Sequence, residues 1–314
     1  MARGWRVWTA LWIVYLVWGS TYFAIKVSVR TLPPLLSAGL RFTLAGLLLA
    51  LILSLRRTPL RVPWREAGAA AGLGVSLLTL GVGVVTLAET RIDSSVAAMI
   101  AGSVPLQVIV WRSFARDHVA TATKLGALVG LGGLLLIILP SGLQGGSTAV
   151  GLALMLGASL SWSIGSFTSR SLPLPRDPFV ATAYEMLAGG VVLVLGALAL
   201  GEGGDLSGAA VSRASLAAWL YLVVAGSLIG FTAYAWLLRN APISQVVTHQ
   251  YVNPLVAIAL GSLFLGESLD ATTAVGAVVV IGAVFATVRS ESRQPPPAPA
   301  VVEPRPTGVA VRAK

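Results

Sequence analysis

Two histidines, twelve Asp and Glu residues and no cysteine carry whatever acid–base or metal chemistry this chain can do. Without a thiol there is no disulfide, no thiolate metal site and no cysteine nucleophile. Neither HExxH nor a Walker A glycine loop is present. No metal, cofactor or catalytic residue is therefore expected. The informative residues are polar ones standing inside apolar runs. Gln245, His249 and Asn253 recur at i, i+4 and i+8, as do Met99, Ser103 and Gln107, which puts each set on one helix face. Arg41 and Glu185 each interrupt a further apolar run. Such groups are costly against hydrocarbon, so they turn inward and mark ligand or ion pathways. The chemistry on offer is hydrogen bonding to a small molecule and proton exchange. His249, of a residue type whose ordinary pKa lies near 6.5, and Glu185 are the proton-coupling candidates.

Each of these residues also has a structural reading. Ser103 and Gln107 serve equally well as interhelical hydrogen bonds, worth about 0.6–2 kcal/mol each. Arg41 can tie helix ends together, Glu185 can snorkel to water, and His249 can be a neutral donor. Aromatic residues add to the pattern: Trp18, Tyr22, Trp162, Phe231, Tyr234 and Trp236 lie within apolar runs, and Gln250 and Tyr251 flank His249. Together they suit either a cavity for apolar or aromatic substrates or plain helix packing. Pro105 and Pro254 each fall inside an apolar run. Proline removes a donor and clashes with the preceding turn, and broken helices in matching places point to a midplane binding site. The expected substrate site is Trp18, Tyr22, Arg41, Ser103, Gln107, Trp162, Tyr234, His249, Gln250 and Asn253, with Pro105 and Pro254 as helix breaks.

The elements that position them are membrane spans. Of the 314 residues 56% are hydrophobic and 11% charged, with mean hydropathy +0.84, whereas soluble domains are about one-quarter charged. Apolar stretches of spanning length, about 20 residues, are expected near 8–26, 34–55, 66–88, 94–114, 122–140, 149–169, 178–200, 214–238, 243–265 and 271–289. The first reads as a retained span and not a signal peptide. Trp5, Trp8, Trp64 and Trp219 suit interfacial anchors. Gly68/Gly72, Gly126/Gly130 and Gly226/Gly230 read as helix-contact pairs. Residues 290–314 are Pro-rich and expected to form a disordered cytoplasmic tail.

Numbering the loops alternately places seventeen Lys and Arg on the N-terminal side and four on the other. The positive-inside rule then puts both termini in the cytoplasm. It also removes nucleic acid as the explanation of the +10 charge, because the charge is spread over separate loops. An internal repeat accompanies the spans. Arg41-Phe-Thr-Leu-Ala-Gly-Leu parallels Tyr184-Glu-Met-Leu-Ala-Gly-Gly, Trp18 parallels Trp162, Pro105-Leu parallels Pro254-Leu, and Gly133 parallels Gly282. Five spans per half force the second copy upside-down, the inverted-repeat plan of many secondary transporters.

Trp18-Gly-Ser-Thr-Tyr-Phe, Pro33-Pro34 with Arg41-Phe42, and Asn253-Pro-Leu with Phe264-Leu-Gly-Glu267 resemble the EamA family of the drug/metabolite transporter superfamily. The resemblance covers roughly residues 10–289. It implies an all-α membrane protein of ten transmembrane helices, two inverted five-helix repeats at 11–140 and 149–289 around a central cavity, in the bacterial inner membrane. The first half departs from the pattern, carrying Asp117-His118 where the second has Gly266-Glu267. The expected function is a secondary transporter exporting small metabolites, amino acids or hydrophobic drugs by alternating access. Export and proton exchange follow from the resemblance alone. A passive channel or facilitator is the alternative, and a membrane-embedded enzyme the weaker one. The expected partners are lipid and a small-molecule substrate.

Overall fold

The computed structural model describes residues 4–88, 91–92, 97, 100–138, 148–203, 211–265 and 271–292. Met99, Glu267, the Tyr22 side chain and the chain beyond Ser292 lie outside the described residues. Among those described the protein is all-helical, with no strand. The helices are α1 (Gly4–Ser28), α2 (Pro34–Leu55), α3 (Trp64–Ala88), α4 (Val104–Phe114), α5 (Thr121–Ile138) and α6 (Ala149–Thr168). They continue with α7 (Pro178–Ala199), α8 (Arg213–Asn240), the short α9 (Ile243–Val246), α10 (His249–Leu265) and α11 (Ala271–Ser292). Six helices, namely α2, α3, α6, α7, α8 and most of α11, are long and apolar enough to cross a membrane, with α5 a shorter apolar helix.

The surface is inverted relative to a water-soluble protein. Leu47, Leu51, Leu195, Val278 and Phe285 are more than half exposed, while Ser163, Thr182, Ser215 and Ser227 are fully buried. Apolar side chains facing outward meet hydrocarbon at no cost, and the hydroxyls of Ser163, Thr182 and Ser215 donate to carbonyls inside the bundle.

Contacts define two ends of the bundle. At the end where α1 begins, Tyr184 on α7 donates to the Leu60 carbonyl (3.1 Å), and Arg170 after α6 donates to the carbonyls of Leu238 and Ala241. At the opposite end Ser215 on α8 donates to the Val27 carbonyl (2.9 Å). Glu202, just past α7, accepts from the Leu36 amide at 2.8 Å and the Leu35 amide at 3.3 Å. It thereby caps α2 from another part of the chain, supplying the partner that Pro33 at the N-cap lacks. Asp177 caps α7 in the ordinary way, accepting from Phe179 N at 2.8 Å, with Pro178 at the first helical position.

Small residues let the inner helices touch. A Cβ on Gly74 of α3 would lie 2.1 Å from the Glu185 carbonyl oxygen on α7, and one on Gly190 would lie 2.5 Å from the Thr43 amide on α2. Gly126 and Gly130 on α5 meet Thr287 and Tyr251, and Gly226 and Gly230 on α8 meet Thr21 and Trp18, as the pair reading expects. Gly68 and Gly72 do not: neither has a neighbour within 4 Å of its would-be Cβ. Both lie on the exposed face of α3, opposite Ala70, Leu73 and Gly74, which are buried. Gly74→Ala is accordingly expected to cost about 1–3 kcal/mol through overpacking. Gly68→Ala should be neutral or stabilising by up to about 1 kcal/mol from helix propensity. Denaturation of the two variants in detergent compares them directly.

Two further expectations need correcting. The tail does not begin at residue 290, because α11 runs to Ser292 and Glu291 is buried and bonded to Arg112. Nor is 243–265 one helix: a turn at Val247–Thr248 separates α9 from α10. Gln245 therefore leaves the His249–Asn253 face and donates instead to the Val288 carbonyl of α11 at 2.9 Å. Trp219, expected as an anchor, points its indole N–H at the Ser37 carbonyl (2.8 Å), whereas Trp5 and Trp64 are exposed.

Candidate functional site

A cavity of about 140 Å³ opens between α1, α2, α3, α4, α6, α8 and α10, extending from the middle of the bundle toward the end remote from α1's start. Of the sequence-predicted residues, Trp18, Arg41, Trp162, His249, Gln250 and Asn253 line it. Its base is a cluster of rings. Trp18 and Trp162 meet edge to face at 5.6 Å, Tyr234 lies 5.0 and 5.2 Å from them, and His249 is 5.1 Å from Trp18 and 5.4 Å from Tyr234. Edge and tilted contacts of this kind place positive ring edges on negative faces. Tyr234 does not itself line the cavity; it is fully buried behind the other rings, its hydroxyl bonded to Ser166.

The backbone around the rings departs from α geometry in two places. Val75–Gly83 in α3 and Leu222–Phe231 in α8 are π-helical, a form that is rare and frequent at functional sites. Each faces a tryptophan. A Cβ on Gly81 would lie 2.9 Å from Trp162, and one on Gly230 would lie 2.6 Å from the Trp18 indole nitrogen, which donates to the Gly226 carbonyl at 3.0 Å. The contacts cross: the α3 π segment holds the tryptophan of α6, and the α8 π segment holds that of α1.

The prolines differ. Pro105 stands at the start of α4, where its missing N–H costs nothing, and Pro254 sits inside α10. The correction is that Pro254 does not end its helix. Its effect is on the residue four back, Gln250, whose carbonyl cannot receive the usual i+4 donor and whose residue lines the cavity. His249 Nδ1 is 2.8 Å from the Val246 carbonyl. A carbonyl only accepts, so Nδ1 carries the hydrogen, and in the neutral ring Nε2 is left as acceptor.

Besides Tyr234, the predicted residues Ser103, Gln107 and Glu185 stand away from the cavity wall. Gln107 donates to Ser159 Oγ of α6 (3.1 Å), the interhelical bonding of its structural reading, and to Ser103 Oγ four residues back (2.8 Å), while Ser103 bonds only locally among the described residues. Glu185 is buried on α7, its backbone carbonyl against Gly74 of α3. Arg41 does line the cavity, with its guanidinium 4.3 Å from the Phe42 ring, and no hydrogen bond or ion pair joins it to any described residue. The structure adds Phe42, Thr21, Gly81, Met155 and Ser159 to the lining. Only the glycine and hydroxyl content of otherwise apolar runs hints at any of them in the sequence.

Beneath the rings the end bearing α1's start is packed shut. Tyr15 and Thr248 share a hydrogen bond of 2.6 Å, and Leu11, Val14, Leu237, Val246 and Val247 are buried around it. Further out lies an ionic cluster. Arg112 reaches Asp117 through Nε (2.6 Å), Glu291 (2.9 Å) and Ser244 (2.7 Å) through Nη1, and the His118 carbonyl (2.9 Å) through Nη2. Thr123 adds a 2.8 Å bond to Glu291. Asp117 and His118, which replace the expected Gly-Glu, are thus used to hold Arg112. Sequence reading treated Arg112 as a loop charge, because nothing local announces Glu291, 179 residues away.

Relatives with names bear on this cavity. The uncharacterized inner membrane transporter YedA of Escherichia coli strain K12 is 37% identical over 276 residues, 88% of each chain. Protein PecM of Dickeya dadantii strain 3937 is 30% identical over 276 residues, 86% of this chain and 88% of PecM. An uncharacterized transporter of Archaeoglobus fulgidus is 25% identical over 287 residues, 90% of this chain and 99% of its own. A solved crystal structure matches 93% of this chain and 99% of its own with a TM-score of 0.74; at 19% identity it shows the fold alone. The EamA-like transporter family itself matches residues 7–139 and again 149–289. A helical bundle with a lipid-facing apolar surface, a ring-lined internal cavity and two family segments covering most of its length belongs to the EamA-like transporter family and is a membrane transporter.

Proposed function

We propose that the protein is a secondary carrier of the bacterial inner membrane, working by alternating access. In this reading ten spans form two inverted five-helix repeats, about 11–140 and 149–289, with both termini cytoplasmic, and the carrier exports small metabolites. The observation that carries it is the crossed pair of contacts, Gly81 against Trp162 and Gly230 against Trp18, around one cavity. Two related halves meeting crosswise at the substrate site is what a repeat-based carrier requires. The packed end beneath the rings supports a carrier over a passive channel, which needs a continuous path. Substrate contact falls to Trp18, Arg41, Trp162, His249, Gln250 and Asn253. His249 is the coupling group because it faces the cavity; Glu185 stands behind Tyr234.

Counterflow in proteoliposomes tests the reading. Labelled substrate should accumulate transiently against unlabelled substrate trapped inside, and flux should saturate. Flux that stays linear with concentration and shows no counterflow would remove the carrier reading in favour of a channel.

A further inference from the structure

Arg41 is 7% exposed, in the first half of α2, and it lines both the ring-floored cavity and a smaller hollow beside Ser28, Ser37 and Trp219. A buried guanidinium ordinarily has a carboxylate or several carbonyls as partners. This one has the Phe42 ring at 4.3 Å and no hydrogen bond or ion pair with any described residue, and its Nε is buried without an acceptor. No Asp or Glu is among the described residues lining the cavity. Among the described residues the site is therefore an apolar, aromatic chamber with one positive charge on its wall and no carboxylate to offset it.

The size of the chamber is informative as well. An apolar cavity of about 150 Å³ holds a benzene ring, and this one is of about 140 Å³. Resting on the carrier reading above, we propose that the substrate is a small organic carboxylate with a body about one ring in size. Its apolar part lies on the Trp18–Trp162 floor, and its carboxylate is held by the two-pronged guanidinium of Arg41. A cationic drug is disfavoured twice over, by repulsion from Arg41 and by the lack of a carboxylate among the described residues of the wall. The anion also supplies the partner that no described residue gives Arg41, so binding relieves a buried charge.

Four compounds of matched shape test this on the purified full-length protein: 3-phenylpropionate, 3-phenylpropionamide, phenethylammonium and L-phenylalanine. Binding is read by calorimetry or thermal protection in detergent, and counterflow in proteoliposomes. A carboxylate, simple or zwitterionic, should bind about tenfold or more tighter than the amide, the scale of a charge-assisted pair over a neutral one. Comparison of 3-phenylpropionate with L-phenylalanine shows whether an ammonium adds to recognition. Arg41→Gln should bring the acid and amide within about twofold of each other, whereas Arg41→Lys should keep part of the preference. Because no described residue gives Arg41 a hydrogen bond or ion pair to lose, and only its contact with the Phe42 ring is removed, Arg41→Gln should melt close to the parent temperature or above it. Equal affinity for acid and amide, a preference that survives in Arg41→Gln, or no binding by any of the four would overturn the proposal. Carboxylate binding without counterflow would uphold the site while removing the carrier reading.

Discussion

Arg112→Met should lower the stability of the folded bundle by about 3–5 kcal/mol, the cost of leaving a buried charge without its partner. The reason lies in which partner is buried. The Glu291 side chain is 1% exposed and loses the cation that pairs with it among the described residues, while the Asp117 side chain is 50% exposed and can turn to water. Asp117→Asn should accordingly cost under about 1 kcal/mol, as exposed ion pairs do. The double variant Arg112→Met/Glu291→Met removes both charges and should recover most of the loss, because a well-packed apolar pair often replaces a buried ion pair without penalty. Denaturation of the parent, Arg112→Met, Glu291→Met and the double variant in mixed detergent micelles gives the coupling energy of the pair, with Asp117→Asn measured alongside. A coupling near zero would mean that the two groups hold one another no more than surface charges do.

The second large effect is on transport. His249→Ala should reduce flux at least about tenfold while leaving membrane abundance unchanged. The ring is 1% exposed, contacts Trp18 and Tyr234, and lines the cavity. Truncation removes the wall of the site and the donor to the Val246 carbonyl, which then loses its side-chain bond at 2.8 Å. His249→Asn separates two functions of the ring, since an asparagine N–H can replace the Nδ1 donor but cannot exchange a proton. If the ring couples protons, His249→Asn should carry substrate without responding to an imposed pH gradient. Parental flux in His249→Ala would show that the cavity is not the transport path. A pH response retained in His249→Asn would place coupling elsewhere, with Glu185 the next group to replace.

Spans were the legible part of this sequence, and for a physical reason. Lipid enforces a run of apolar residues of fixed length, so 34–55 and 178–200 reappear as Pro34–Leu55 and Pro178–Ala199 almost to the residue. Trp18, Trp162, His249 and Asn253 were legible as cavity residues because polar and amphipathic groups are conspicuous among leucines and valines. What escaped was everything decided by the backbone. The turn at Val247–Thr248 removes Gln245 from a face that spacing alone assigns to it, since an i, i+4 rule presupposes an unbroken helix. Arg112 counts as a loop charge until the fold brings Glu291 beside it. Gly68 and Gly81 look alike in the sequence, yet one meets open space and the other Trp162.

The π segments bear on how such spans can change in length. In an α-helix each added residue turns all that follows by about 100°, so an insertion in a span normally swings its inner face toward lipid. An i→i+5 closure takes in one residue more than an α turn. In α3 and α8 that wider winding leaves Leu80 and Ile229 nearly half exposed while the next residues, Gly81 and Gly230, stay buried against tryptophan. The two spans thus hold slack in residue number without slack in facing. A residue gained or lost within 75–83 or 222–231 can be taken up between π and α geometry without turning the rest of the span toward lipid.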